Sequence, residues 1–246
     1  MDTQYAAAYP ELYRKHWWWR VREEILLRKI RRILGTVTGA RILDVGCGAA
    51  LFFDALQPFG RVEGIESDRN AVEQSGRWRA DVSVAELNES YVSDAPFDLI
   101  LMLDVLEHVA DPERLLRRAG EILNPSGSIL VTVPAFNCLW TTHDDLNHHL
   151  TRYSSNSMRK VIRRAGLVTV ETGYMFQSLV LAKLLVRLRD AVSRAPARVP
   201  TVPPAALNRA MQTWFKTEHL VAGWLPFGSS LLAVAGTKER RCASDQ

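Results

Sequence analysis

Cysteine is scarce in this 246-residue sequence: three residues, at 47, 138 and 242. They have neither the density nor the pairing of a disulfide framework, and they offer no cysteine zinc site. A reducing compartment fits that usage. No apolar run approaches ~18 residues, the length a spanning helix requires. The opening Met-Asp-Thr-Gln lacks the basic stretch followed by an apolar one that marks a secretory leader. The expectation is a cytoplasmic protein. Internal repeats are missing, and so is a GxxxxGK[ST] loop, which excludes P-loop nucleotide hydrolysis. An Asn-Pro-Pro-Tyr-like motif for a flipped base is also missing, and with it the basis for nucleic-acid methylation.

What is present is a globular balance: 47% hydrophobic and 24% charged residues, enough to fill a core and too apolar for a disordered chain. The net charge of +4 hides an asymmetry. Residues 1–40 carry eight Lys/Arg against four Asp/Glu, 41–110 five against thirteen, and 111–246 eighteen against ten. A nucleic-acid groove needs positive charge around its functional core. Here the basic excess lies in the flanks, so no nucleic-acid partner is expected.

The spacing predicts a helix over 11–34, with Ile25, Leu26, Ile30 and Ile33 on its apolar face and Arg22, Arg28, Lys29, Arg31 and Arg32 mostly off it. Strands follow at 41–45 and 61–66, with helices at 49–56 and 68–75 between and after them, giving a right-handed βαβ unit and a parallel sheet. A third strand falls near 79–84. Phe97–Leu103 is almost wholly apolar, as a strand buried on both faces should be. A helix over 111–123 leads to a fifth strand at 128–133. A helix ending at Ala165, a sixth strand over 167–174 and a seventh over 230–236 complete the series. Between the last two strands lies a helical insertion, 177–224, with helices near 178–192 and 206–221 around a proline-rich break at 195–204. The reading is one decorated α/β domain over 1–246: an N-terminal helical segment (1–40), a cofactor half (41–134) and an acceptor half (135–246).

Asp44-Val45-Gly46-Cys47-Gly48 falls at the carboxyl end of the first strand, where parallel sheets bind ligands. Gly46 and Gly48 let backbone approach a ligand closely. Glu66 ends the second strand 18 residues after Gly48, where a carboxylate can accept from both hydroxyls of a ribose. A dinucleotide fingerprint would place a third glycine at position 51, but that position is Leu51. Asp44 would also repel a pyrophosphate, whereas it would attract an amine and a sulfonium. The site therefore favours an adenosyl ligand carrying positive charge.

Residues 41–134 resemble the cofactor half of class I S-adenosylmethionine-dependent methyltransferases, most nearly the branch that includes ubiquinone-biosynthesis O-methyltransferases. The resemblance rests on Leu43–Gly48, Glu66, Phe97–Ile100 with Asp104–Val109, and Leu123–Ser128, four motifs in family order. Ala49 stands where the family often has Gly. The resemblance implies a Rossmann-like seven-stranded sheet in the order 3-2-1-4-5-7-6, with the last strand antiparallel. It implies S-adenosyl-L-methionine as cofactor, with Asp44 orienting its amine, Gly46, Cys47 and Gly48 around its methionyl part, Glu66 on the ribose, and Leu103 and Asp104 flanking it. Asp81 is the candidate near the adenine amine. Catalysis would consist mainly of aligning nucleophile, methyl and sulfur in line and excluding water.

The expected acceptor is a small molecule, aromatic or lipid-like, methylated most readily on a hydroxyl. His108 sits past the fourth strand, and a second cluster, Trp140 to Tyr153, follows the fifth. His149, or His143, is the expected base, with Asp144 orienting it and His108 at the rim; Arg152 and Tyr153 would bind the acceptor. That cluster has metal-ligand residue types but no helical ligand spacing, so no metal is expected. Adjacent Trp17, Trp18 and Trp19 cannot all face one core, so an aromatic wall from Trp17 and Trp18, with Trp140, is one reading and interlayer packing the other. Helix 179–188 is read first as a lid, with a homodimer face and then a membrane-surface contact as the alternatives. An NAD-dependent oxidoreductase and a non-catalytic module retaining the fold are the alternatives in function.

Overall fold

A computed structural model describes residues 3–193 and 199–239. Cys242 and part of the proline-rich break lie outside the described residues. In chain order the elements are α1 (Thr3–Lys15), α2 (Trp17–Leu34), β1 (Ala40–Val45), α3 (Phe53–Leu56), β2 (Gly60–Glu66), α4 (Arg69–Glu73), β3 (Val82–Val84) and β4 (Phe97–Leu103). There follow α5 (Pro112–Glu121), β5 (Leu123–Pro134), α6 (Thr142–Leu146), α7 (Ser155–Arg164), β6 (Val168–Met175), α8 (Leu179–Ser193), α9 (Ala205–Ala222) and β7 (Ser230–Gly236).

The seven strands form one sheet in the order β3-β2-β1-β4-β5-β7-β6. β1 runs parallel to both β2 and β4, and β7 runs antiparallel to both β5 and β6. The fold expected from the sequence is the fold observed, including the α8–α9 insertion between β6 and β7. The strand order reverses at β1, so a crevice opens at the carboxyl ends of β1 and β4. The central strands are apolar on both faces because each face carries its own core. Ile42, Leu99 and Leu101 pack with Leu26, Ile30 and Phe53 on one side. Leu43, Ile100 and Met102 pack with Leu116, Met158 and Ile162 on the other.

Three expectations about the helices differ. The single N-terminal helix is two helices, broken at His16, whose imidazole Nδ1 accepts from Trp18 N at 3.2 Å and caps α2. Asn208 of α9 holds the break: its Oδ1 accepts from Trp17 N at 2.8 Å and its Nδ2 donates to Lys15 O at 2.7 Å. These are helix-end groups that would otherwise lack partners. The helix after the glycine turn is confined to α3, because residues 48–52 form turns instead. Finally, Arg22 lies on the buried face of α2, 7% exposed, rather than off it.

Candidate active site

The turn after β1 is built by backbone conformations that side chains resist. Gly46 has φ +72° and Gly48 φ +55°, in the left-handed region that glycine enters freely. A Cβ at Gly46 would lie 2.9 Å from Val105 Cγ2, so that position is also closed sterically. The Gly48 N–H donates to Glu66 Oε2 at 2.9 Å, and Asp68 N–H donates to Glu66 Oε1 at 2.9 Å. Glu66 is thus fixed at the end of β2 with acceptor capacity to spare on both oxygens.

Asp44 is buried at the end of β1. Burial pushes its carboxyl up to about 7; neighbouring Arg22 opposes this and Glu66 adds to it. A carboxylate so placed gains from a cationic partner, and an ammonium is the group that would supply one.

Asp104 follows β4 with φ +59°, a strained conformation for a non-glycine residue. Arg22 Nη2 donates to Asp104 Oδ2 at 2.8 Å and to Thr132 Oγ1 at 2.8 Å. Thr132 Oγ1 in turn donates to Asp104 Oδ1 at 3.0 Å. Helix α2 therefore reaches under the site, and the sequence reading missed Arg22. The available signal was its position three residues after Trp19 and four before Leu26, on the apolar stripe.

A cleft of about 1580 Å³ runs along the carboxyl ends of the strands. It brings together Gly46, Cys47, Gly48, Glu66, Leu103 and Asp104 with His108, His143, His149, Arg152, Trp17 and Trp18. Asp44 lines a smaller cavity behind the glycine turn, with Tyr9, Tyr13, Trp19 and Arg22. Asp81 is not among these residues. It precedes β3, at the amino end of that strand, whereas Ala85, Glu86 and Leu87, just beyond the carboxyl end, line the cleft.

Across the cleft, Asp144 is fully buried. Its Oδ1 accepts from His149 Nδ1 at 2.8 Å and from Arg152 Nε at 2.8 Å, while Oδ2 accepts from Arg152 Nη2 at 2.8 Å. Burial opposes its charge, but the His149 and Arg152 bonds outweigh that and hold its carboxyl well below the usual range. Arg152 also donates to Ala135 O at 2.9 Å. Three of its five N–H donors are thus engaged by the scaffold, and the side chain also lines the cleft. Tyr153 is likewise internal, its hydroxyl donating to Leu106 O at 3.1 Å. Trp140 lies outside the cleft, with its indole N–H on Asp145 Oδ1 at 2.9 Å.

Of the two candidate bases, His143 contacts Asn147 at 3.1 Å, and burial, aided by Lys183, pulls it down to about 4. His149 has the carboxylate orienter. Its ring meets that of His108 edge-on at 4.9 Å. Burial, then His149, lowers the His108 pKa.

Glu107, completely buried, has no hydrogen-bond partner on either oxygen among the described residues. Burial and then Asp104 push its carboxyl well above the usual range. Among the described residues, Glu107, His108 and His149 offer ligand atoms within 4.8 Å of one another, a group able to hold a metal ion. Two of the three, Glu107 and His108, lie outside the loop after β5, where the sequence clusters metal-ligand residue types.

Trp17 stacks on Phe215 with centroids 4.6 Å apart, and Trp18 stacks on Phe176 at 5.5 Å. These rings pack between layers and also edge the cleft. Lys183 reaches the cleft from α8, its pKa lowered to about 8 by burial and then by Arg152.

With this geometry in place, comparison with known proteins is decisive at the level of the family. The sequence profile of the methyltransferase domain family matches residues 18–172. The chain belongs to that family. A ubiquinone biosynthesis O-methyltransferase of Azorhizobium caulinodans is 39% identical over 108 residues, 41% of this chain and 43% of that one. A probable S-adenosylmethionine-dependent methyltransferase of Mycobacterium tuberculosis is 27% identical over 224 residues, 87% of this chain and 80% of that one. The chain spans about half the length of the first curated relatives it matches. A chain of the complex between the Haloferax volcanii Trm112 methyltransferase activator and a putative methyltransferase superposes with a TM-score of 0.58 at 21% identity, over 94% of this chain and 93% of that one.

The residues present fit the methyl donor that this family uses. An acid sits at the end of β1, a turn with glycine at 46 and 48 follows it, a fixed carboxylate ends β2, and residues after β3 and β4 line the cleft.

Proposed function

We propose that this methyltransferase moves the methyl group of S-adenosylmethionine to a hydroxyl of a small-molecule acceptor. The observation that carries this reading is the Asp144–His149 pair at 2.8 Å, set in the same cleft as the Gly46–Gly48 turn and Glu66.

Asp44 attracts the donor's ammonium, Glu66 accepts from its ribose hydroxyls, and the backbone around Leu103–Val105 flanks it. When bound, S-adenosylmethionine supplies an electrophilic methyl on a sulfonium. The protein's share is to hold the acceptor oxygen in line and to take its proton. With Nδ1–H committed to Asp144, His149 presents Nε2 as a base, and Asp144 stabilises the imidazolium that results. Arg152 acts as a positioning residue by fixing Asp144. Trp17 and Trp18 give the acceptor an aromatic edge, which suits an aromatic or lipid-like alcohol, and Lys183 adds a positive group on the α8 side.

The test is transfer of radiolabelled methyl from S-adenosylmethionine to a panel of hydroxylated aromatic and lipid-like compounds, each paired with its amine analogue. Labelled ethers are expected. Transfer confined to amines would overturn the hydroxyl assignment while leaving the donor site in place.

A further inference from the structure

The insertion carries an outward surface that methyl transfer does not use. On α8, Leu179, Lys183 and Val186 recur at helical spacing and line the cleft. The other face bears Leu181, Leu185 and Leu188, which are 69%, 67% and 65% exposed. On α9, Asn208 and Phe215 point inward, and Leu207, Trp214 and Val221 form an outward stripe at seven-residue intervals, continued by Trp224 at 78% exposure. The two helices meet where Trp214 donates its indole N–H to Ser178 Oγ at 3.0 Å, just before α8.

Of sixteen exposed large apolar side chains among the described residues, eleven lie between 181 and 227. Single exposed apolar residues are ordinary on any surface, but this concentration marks an interaction site. Charge decides what it meets. The described cations on this outer side are Arg187, Arg189 and Arg209, with Lys183 turned to the cleft and Lys216 paired with Glu24, whereas 41–110 is acidic by eight charges. All three arginines are exposed among or beside the apolar side chains. A two-fold contact with a second copy would set this positive face against itself. An anionic surface would attract this face and repel the acidic half, fixing the molecule's orientation. No helix among the described residues is long and apolar enough to cross a membrane, so such helices would lie along it. Tryptophans at the margin suit the boundary between headgroups and chains.

We propose that the outer face of α8 and α9 docks on an anionic lipid surface, leaving the inner face of α8 over the cleft. Binding needs neither methyl donor nor acceptor, so failure here and failure of the methyl-transfer reading are separable.

The test is co-sedimentation of the full chain with phosphatidylcholine vesicles, with and without phosphatidylglycerol. The expected result is binding to the anionic vesicles, weakened by high salt. Replacing Leu181→Asp, Leu185→Asp and Leu188→Asp together should reduce it by about tenfold or more. These side chains are exposed, so unchanged thermal melting of the triple variant is the check on folding. A second variant, Trp214→Ser with Trp224→Ser, should weaken binding as well. Absence of anionic-vesicle binding by the wild type, or undiminished binding by the folded triple variant, would overturn the proposal. So would a wild-type dimer, seen by sedimentation equilibrium, that the triple variant converts to monomer.

Discussion

Arg22 of α2 and Asp104 after β4 are joined by a 2.8 Å ion pair beneath the cleft, in a chain where 82 residues separate them. The pair couples the N-terminal helices to the loop that flanks the glycine turn. Arg22→Met removes the charge, leaves Asp104 in its left-handed conformation without its partner, and strips a donor from Thr132. The expected cost is about 2 kcal/mol, below a fully buried pair because Asp104 is partly exposed. The melting temperature should fall by roughly 4–8 °C for a domain of this size, and S-adenosylhomocysteine should bind more weakly. A melting temperature within error of wild type would refute the coupling.

Asp44 gives the donor site a pH signature. Its carboxyl is raised to about 7 in the free protein, so it is mostly neutral below that pH and ionised above it. The ammonium of S-adenosylhomocysteine favours the ionised form. Affinity should therefore rise with pH by roughly tenfold per unit below pH 7 and level off above it. Asp44→Asn should weaken binding and flatten that profile. Calorimetric titrations at several pH values check both, and an unchanged slope in the variant would count against the role.

The two candidate bases separate by substitution. His149→Ala should lower kcat with a hydroxyl acceptor by about 10²–10⁴-fold while S-adenosylhomocysteine affinity is retained. His143→Ala should cost much less, since burial holds that imidazole near 4. The reverse ranking would move the base to His143.

Glu107 makes a prediction about stability alone. Its carboxyl is raised in the folded state, so the folded protein holds a proton that the unfolded chain releases as pH climbs past the ordinary glutamate value. Stability should therefore decline with rising pH until the folded group itself ionises. In metal-free protein, Glu107→Gln removes that decline and should melt higher than wild type at pH 8, with the gap closing toward pH 4. Equal melting temperatures across that range would show that Glu107 ionises without cost.

Much of the donor half was legible because it is local. A strand, a glycine turn and an acid at the next strand's end are adjacent in sequence, and burial on both faces of a parallel sheet leaves a continuous apolar signature such as Phe97–Leu103. The rest depends on contacts between distant segments. The break at His16 is held by Asn208 of α9, which no pattern within 11–34 could reveal. Arg152 reads from the sequence as an acceptor-binding cation, and its bond to Asp144 becomes visible only when the loop after β5 is folded. The resemblance calls for an acid after the third strand; β3 begins at Val82 rather than near 79, so Asp81 precedes it and Ala85, Glu86 and Leu87 line the cleft instead. Of three adjacent tryptophans, periodicity says only that they diverge; Phe176 and Phe215 decide where Trp17 and Trp18 go.

The most direct test of the account is calorimetric titration of ligand-stripped protein with S-adenosylhomocysteine, using NAD as control and Glu66→Ala as comparator. The account predicts one-to-one binding, none for NAD, and a loss of about tenfold or more in the variant, the worth of the charged hydrogen bonds removed. Folded protein that ignores S-adenosylhomocysteine, or that binds it equally well without the Glu66 carboxylate, would contradict the donor site described above.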